Sequence, residues 1–187
     1  MIIGDVSIFA VESEITRAFE RLSLRGLGFF VIHVAGRSYG IKAPGQSMLA
    51  CSIDEVQMRI ARRGSHQAAF SGLPAIDIAE AYIRAVYLGI DANETFFGLS
   101  EAQFTQALHS NSIVWAPDGD EAFDDGSYVL QFDIDNQVRV IAFQCPDALP
   151  DPSSVREVWL HSEIFYAILG EWNEAFIAEW KSLPKHD

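Results

Sequence analysis

Residues Asp118–Gln144 read D-G-D-E-A-F-D-D-G-S-Y-V-L-Q-F-D-I-D-N-Q-V-R-V-I-A-F-Q, an acidic patch running straight into two β-prone segments. Ser127–Asp133 and Val138–Gln144 are rich in aromatic and branched residues, and Asp135-Asn136 lies between them. Asp and Asn tolerate the positive φ that both central positions of a two-residue type I′ turn require. Such a turn pairs Phe132 with Arg139, Leu130 with Ile141 and Tyr128 with Phe143. Tyr128, Leu130, Phe132, Ile141 and Phe143 then share one face, directed into the core. Val129, Gln131, Asp133, Val138, Val140 and Ala142 occupy the other, which reads as half-polar. A one-residue slip would exchange the faces, so the register is well determined.

Working outward from the hairpin, Cys145–Pro152 holds three prolines and reads as loop, and Val155–Leu160 reads as a strand. Ser162 is placed to cap a last helix running to about Trp180. Its Ile164, Phe165, Ile168, Leu169, Trp172, Phe176 and Trp180 form a wide aromatic stripe that suits a core. Upstream, Ser100-Glu-Ala-Gln103 is a capping box opening a short helix through Phe104 and Leu108, and Pro74–Leu88 reads as another helix closed by Gly89. Ser52-Ile-Asp-Glu55 is a second capping box, for a helix closed by Gly64. Ile53, Val56 and Ile60 are its buried stripe, with Arg59, Arg62 and Arg63 facing water. Leu27–Val34 is a continuous apolar run, a central strand buried on both faces, in which His33 reads as a satisfied core histidine. Ala35–Ser38 turns the chain, Tyr39–Lys42 returns antiparallel, and Pro44-Gly45 ends that hairpin. Glu14–Leu24 is ambiguous, because Ile15, Phe19 and Leu22 have helical spacing. Ile2-Ile3 and Val6–Val11 read as short strands. Strands and helices do not alternate strictly. The pattern predicts an α+β fold: a mostly antiparallel sheet, several packed helices and a long C-terminal aromatic-striped helix, in a single domain over 1–187.

The charge is as informative as the hydropathy. The chain carries net −13, which disfavours nucleic acid or an anionic membrane as a direct partner. Residues 1–63 hold eight basic and six acidic side chains; residues 64–187 hold five basic and twenty acidic. Between Arg84 and Arg139 there are ten carboxylates and no Lys or Arg. One reading is a solvated surface that keeps the protein soluble; the sharper one is a landing site for a basic protein. Apolar residues make up 49%, so a packed core is affordable, yet no apolar run approaches the ~20 residues that span a bilayer. The N-terminus lacks the cationic start of a secretory signal. Cys51 and Cys145 make no metal or redox spacing and read as reduced thiols, with one disulfide possible between them.

Two motifs invite chemistry. Gly36-Arg37-Ser38-Tyr39-Gly40 matches G-x-S-x-G, but that elbow needs a strand turning sharply into a helix, and Ile41-Lys-Ala-Pro44 cannot start one. Asp118, Asp120 and Asp124 suggest calcium, but the sixth and twelfth loop positions are Phe123 and Val129 instead of Gly and Glu. The five histidines lack H-E-x-x-H spacing, and no glycine loop marks a nucleotide site. Read from residues alone, the chain is an acidic binding protein with no cofactor and no metal. The alternative is a small cytosolic hydrolase using Ser38, or a metal-dependent enzyme using the Asp118–Asp125 carboxylates.

Several segments together carry a resemblance. They are Met1-Ile-Ile-Gly-Asp5 with Phe9-Ala-Val-Glu12; Leu27-Gly-Phe-Phe-Val-Ile with Gly36-Arg-Ser-Tyr-Gly40; Asp120-Glu-Ala-Phe-Asp-Asp-Gly-Ser-Tyr128 with Val138-Arg-Val-Ile-Ala-Phe143; and Glu157-Val-Trp159 before the Trp172 helix. Over nearly the whole chain this pattern resembles an immunity-protein family of bacterial polymorphic toxin systems, contact-dependent or secreted. The resemblance implies a cytoplasmic protein encoded beside a secreted toxin, which binds the toxin domain and blocks it without catalysis. It carries over no contact residues. Charge density alone nominates Asp118, Asp120, Glu121, Asp124 and Asp125 as the toxin-binding surface, for a partner that is basic.

Overall fold

The computed structural model describes residues 1–88, 94–115 and 121–186. Strands β1 (Ile2–Asp5), β2 (Phe9–Phe19), β3 (Gly26–Val34), β4 (Arg37–Tyr39) and β5 (Ser47–Met48) lead into helix α1 (Leu49–Ala61). Helix α2 (Ala75–Ile83) runs on into a π-helical turn, Arg84–Leu88, and a minimal hairpin of β6 (Thr95–Phe96) and β7 (Leu99–Ser100) opens α3 (Glu101–Ser110). Then come β8 (Ser127–Ile134), β9 (Gln137–Gln144), β10 (Arg156–His161), α4 (Ser162–Ser182) and β11 (Lys185–His186). The larger sheet has the order β1-β2-β3-β4, with β5 also on β3 and β11 on β2; the second has the order β10-β9-β8. All pairings are antiparallel except β11 with β2. The α+β class and the antiparallel sheets match the expectation.

The β8–β9 hairpin has the register its turn demands: Phe132 opposite Arg139, Leu130 opposite Ile141, Tyr128 opposite Phe143. Its turn has one positive φ, at Asp135 (51°), not the two of type I′. The expected core face is buried against α2 and α3, where Leu130, Phe132, Ile141 and Phe143 join Phe70, Ile78, Phe104 and Leu108. The other face departs from expectation. Val129, Val138, Val140 and Ala142 are also buried, in a second core with Phe30, Ile32, Ile53, Val56 and the aromatic stripe of α4. Its polar members Gln131 and Asp133 are buried too. The hairpin is therefore the partition between two cores, so its β9 strand reads V-R-V-I-A-F, without the alternation of a half-exposed sheet.

Tertiary context resolves one ambiguous local reading and corrects several others. Glu14–Leu24 is not helical: β2 continues to Phe19, with a bulge between Ile15 and Arg17. The extra residue shifts the alternation by one, leaving Ile15, Ala18 and Phe19 buried at a spacing that imitates a helix. Helix α1 starts three residues before the Ser52 box, and Met48 caps it without a side-chain hydrogen bond. Ser52 is buried inside the first turns. Arg59, expected in water, is fully buried. At Ser100 the capping box is formed as expected, with Ser100 and Gln103 each accepting from the other's backbone amide. Helix α4 is capped one residue early, by His161 Nδ1 accepting the Glu163 amide, and ends at Ser182. Its Phe165, Trp172 and Phe176 are fully buried, each contributing about 1.5–3 kcal/mol. Trp172 also donates Nε1–H to the Ser13 hydroxyl at 3.0 Å, fastening α4 to β2. Ile164, by contrast, lies in solvent. Leu27–Val34 is the heart of β3, and Gly28 is required there: a Cβ would sit 1.8 Å from the Glu14 carbonyl oxygen. Gly89 lies outside the described residues.

Candidate partner-binding surface

Within the described part of the acidic segment, Glu121–Asp125, the backbone is well anchored. Ala122 is buried, and its carbonyl accepts the Ile41 amide at 2.7 Å. Glu121 Oε2 accepts the Met48 N–H at 3.1 Å, supplying at the start of α1 a polar contact that the helix's own sequence lacks. Asp125 Oδ1 accepts the Ser127 N–H at 3.0 Å, setting the chain's entry into β8. Glu121, Asp124 and Asp125 are all exposed. Among the described residues none of the three forms an ion pair. Asp118 and Asp120 lie outside the described residues. Among the described residues no group of three or more His, Cys, Asp or Glu side chains could hold a metal ion.

Ser38 is an exposed residue of β4, opposite His33 of β3. His33 Nε2 meets Glu12 Oε2 at 3.0 Å, so the letters of a Ser-His-acid triad fall near one another. The geometry is not that of a nucleophile: Ser38 lies mid-strand with no helix after it, and no hydrogen bond joins it to His33. Glu12 is occupied on its other oxygen by Lys42 Nζ, 2.7 Å away. Burial pushes the Glu12 carboxyl up, but the hydrogen bonds and charges of Lys42 and His33 outweigh it and hold it below the usual carboxylate range. His33 is thus a satisfied histidine, as expected. Cys145 is a free thiol, and burial followed by the nearby Asp147 charge pushes it up.

The most elaborate polar assembly in the described residues was not foreseen. Arg59 projects between α1 and β8, donating Nη1 to Ser112 O and Gln131 Oε1 (both 3.1 Å) and Nη2 to Val114 O (2.7 Å). Its Nη2 also lies 2.7 Å from Glu55 Oε1, and the guanidinium stacks 4.3 Å from the Trp115 ring. Gln131 passes the network on to Tyr166 and Asp133, and Asp133 Oδ2 accepts the amides of Gly64 and His66. Burial, then the Asp133 charge, pushes the Tyr166 hydroxyl far above the usual tyrosine range. Burial lowers the Arg59 pKa against the opposing pull of Glu55. The sequence did hold a signal. Arg59 follows Val56 by three residues and so shares its buried face.

The Immunity protein 42 family matches residues 1–175. The chain belongs to the Immunity protein 42 family. Members are immunity proteins, and this one serves to neutralise a bacterial toxin. Among solved structures, CdiI from Burkholderia dolosa AUO158 is similar in fold, with a TM-score of 0.59 over 94% of this chain and 99% of that one, at 13% identity. No curated protein matches the sequence. No helix among the described residues is long and apolar enough to cross a membrane.

Proposed function

We propose that this immunity protein neutralises its cognate toxin by stoichiometric, non-catalytic binding in the cytoplasm, acting as one domain over 1–187 on a toxin domain that is basic. The observation carrying this reading is the direction of the charges. The chain has net −13, and Arg59 and Arg139, two of its 13 cationic side chains, are buried. Lys42 and Arg84 are neutralised by Glu12 and Glu94. Arg59 and Arg139 likewise face Glu55 and Glu157, and since each pair removes one charge of either sign the net −13 stands; that field draws in a cationic partner and repels nucleic acid and anionic lipid. Asp118, Asp120, Glu121, Asp124 and Asp125 are the steering surface in this reading.

The test is binding kinetics of Glu121→Gln/Asp124→Asn/Asp125→Asn against the toxin domain encoded beside the gene. Association should slow at low salt and the deficit should shrink as salt rises, because exposed charges are screened beyond ~8 Å at physiological ionic strength. Dissociation should change little. Rates equal to those of the unaltered protein at both salts would remove the acidic segment from the interface.

A further inference from the structure

The edge strand β10 pairs with β9 on one side only, and among the described residues no strand pairs with its other side. Soluble proteins blunt such edges with lysines, prolines, bulges or a covering loop, because the unpaired backbone groups are a template for another strand. This edge instead presents Trp159, with 43% of its surface exposed.

That indole is not a loose side chain. Its Nε1–H donates to Glu157, and Glu157 is gripped by Arg139, Nε to Oε1 at 3.1 Å and Nη2 to Oε2 at 3.0 Å. Arg139 is only 3% exposed and anchors its remaining nitrogen on the carbonyls of Ser71 and Leu73. Its guanidinium lies 5.3 Å from the Trp159 ring centroid, directly across the β9–β10 ladder. A buried cation and a clamped carboxylate thus hold an exposed ring in one orientation. Such a ring loses little entropy when a partner covers it, and Trp is enriched among residues that dominate binding energy.

The surroundings specify the partner's charge. Asp147 and Asp151 precede β10, while Asp135 and Glu163 lie at its far end, where the Ser162 amide bonds the Asn136 carbonyl. None of these four carboxylates forms an ion pair among the described residues. The strand's own Arg156 folds back on the carbonyls of Ser153 and Val155. An apolar anchor rimmed at both ends by unneutralised carboxylates fits an extended cationic segment.

We propose that the β10 edge is the surface that holds the toxin, which lays an extended basic segment along the strand with Trp159 as the central anchor. This rests on the immunity reading above and adds the place and mode of contact. The probe is the C-terminal domain of the toxin encoded beside the gene. Trp159→Ala should dissociate at least about 30-fold faster, with association altered less than about twofold and little dependence on salt. Trp159→Phe, which keeps a ring, should recover most of the loss. In the unaltered complex, hydrogen exchange should show new protection at the amides of 157–160. A folded Trp159→Ala variant with an unchanged dissociation rate, or protection that bypasses β10, overturns the proposal. If the unaltered protein fails to bind the domain, the immunity reading itself falls and this one with it.

Discussion

Arg59→Ala tests whether the buried polar junction holds α1 to β8. The side chain is fully buried and satisfies the carbonyls of Ser112 and Val114 and the amide oxygen of Gln131. Truncation strips all three acceptors of a donor, and an unsatisfied buried polar group costs about 1–3 kcal/mol. Glu55 also loses its cation, but its side chain is 18% exposed and water recovers part of that loss. Water entering the vacated space relieves some acceptors, so the simple sum overshoots. Removing one partner of a buried ionic network costs about 3–5 kcal/mol, and that range is the expected loss. At roughly 2–4 °C per kcal/mol for a chain of this size, Tm should fall by roughly 6–20 °C. Scanning calorimetry with urea unfolding measures both quantities. Arg62→Ala is the control: Arg62 is only half-buried, donates to Ser110 O and the Ser112 hydroxyl, and should cost under about 1 kcal/mol. An Arg59→Ala variant melting within about 2 °C of the unaltered protein would refute the reasoning.

Further outcomes follow from the same structure. Phe132→Ala and Ile141→Ala each empty a fully buried site of the partition and should cost about 2–5 kcal/mol in denaturant unfolding. His66 is buried with its Nδ1 at 2.9 Å from Asn111 O, and burial, then the Arg59 charge, lowers its pKa from 6.5. The unfolded chain therefore binds the extra proton first: stability should be full above about pH 6.5, fall as pH drops towards the depressed folded value, and level off below it. His66→Gln should flatten that part of the profile, and an unchanged slope would exonerate His66. Ser38→Ala, at an exposed strand position, should leave Tm and protection against the toxin unaltered; loss of protection in a folded variant would revive the hydrolase reading.

The hairpin was legible because its register depends on two local facts, the Asp135-Asn136 loop and the aromatic alternation. Elsewhere the deciding contact was remote. The Ser52 box has the right letters, yet α1 starts at Leu49, where Glu121, 73 residues from Met48, bonds the N-cap amide. The bulge in β2 cannot be seen without its partner strand, and undetected it turns a strand pattern into a helical one. The acidic surface could be nominated from charge density, because unpaired carboxylates need no partner to be counted. Trp159 could not be singled out in this way. Its bracing depends on Arg139 lying opposite in the ladder, and Val155–Leu160 gives no clue to that register.

An inhibitor of this kind needs two physically separate quantities, a fast encounter and a slow escape. A field of exposed carboxylates can supply the first at long range, but contacts that stay hydrated do little for the second. The buried Arg139 serves the second requirement, while the net −13 that supplies the first is unaltered by its pairing with Glu157. Arg139 then uses its charge locally, holding Glu157 and with it the exposed Trp159 ring. On this reading, steering and holding are separable by salt. Losses in the Glu121–Asp125 segment should fade as ionic strength rises, and losses at Trp159 should persist. A salt-sensitive Trp159→Ala defect would mean that the ring matters for encounter and not for retention, which its exposure beside four carboxylates would then have to explain.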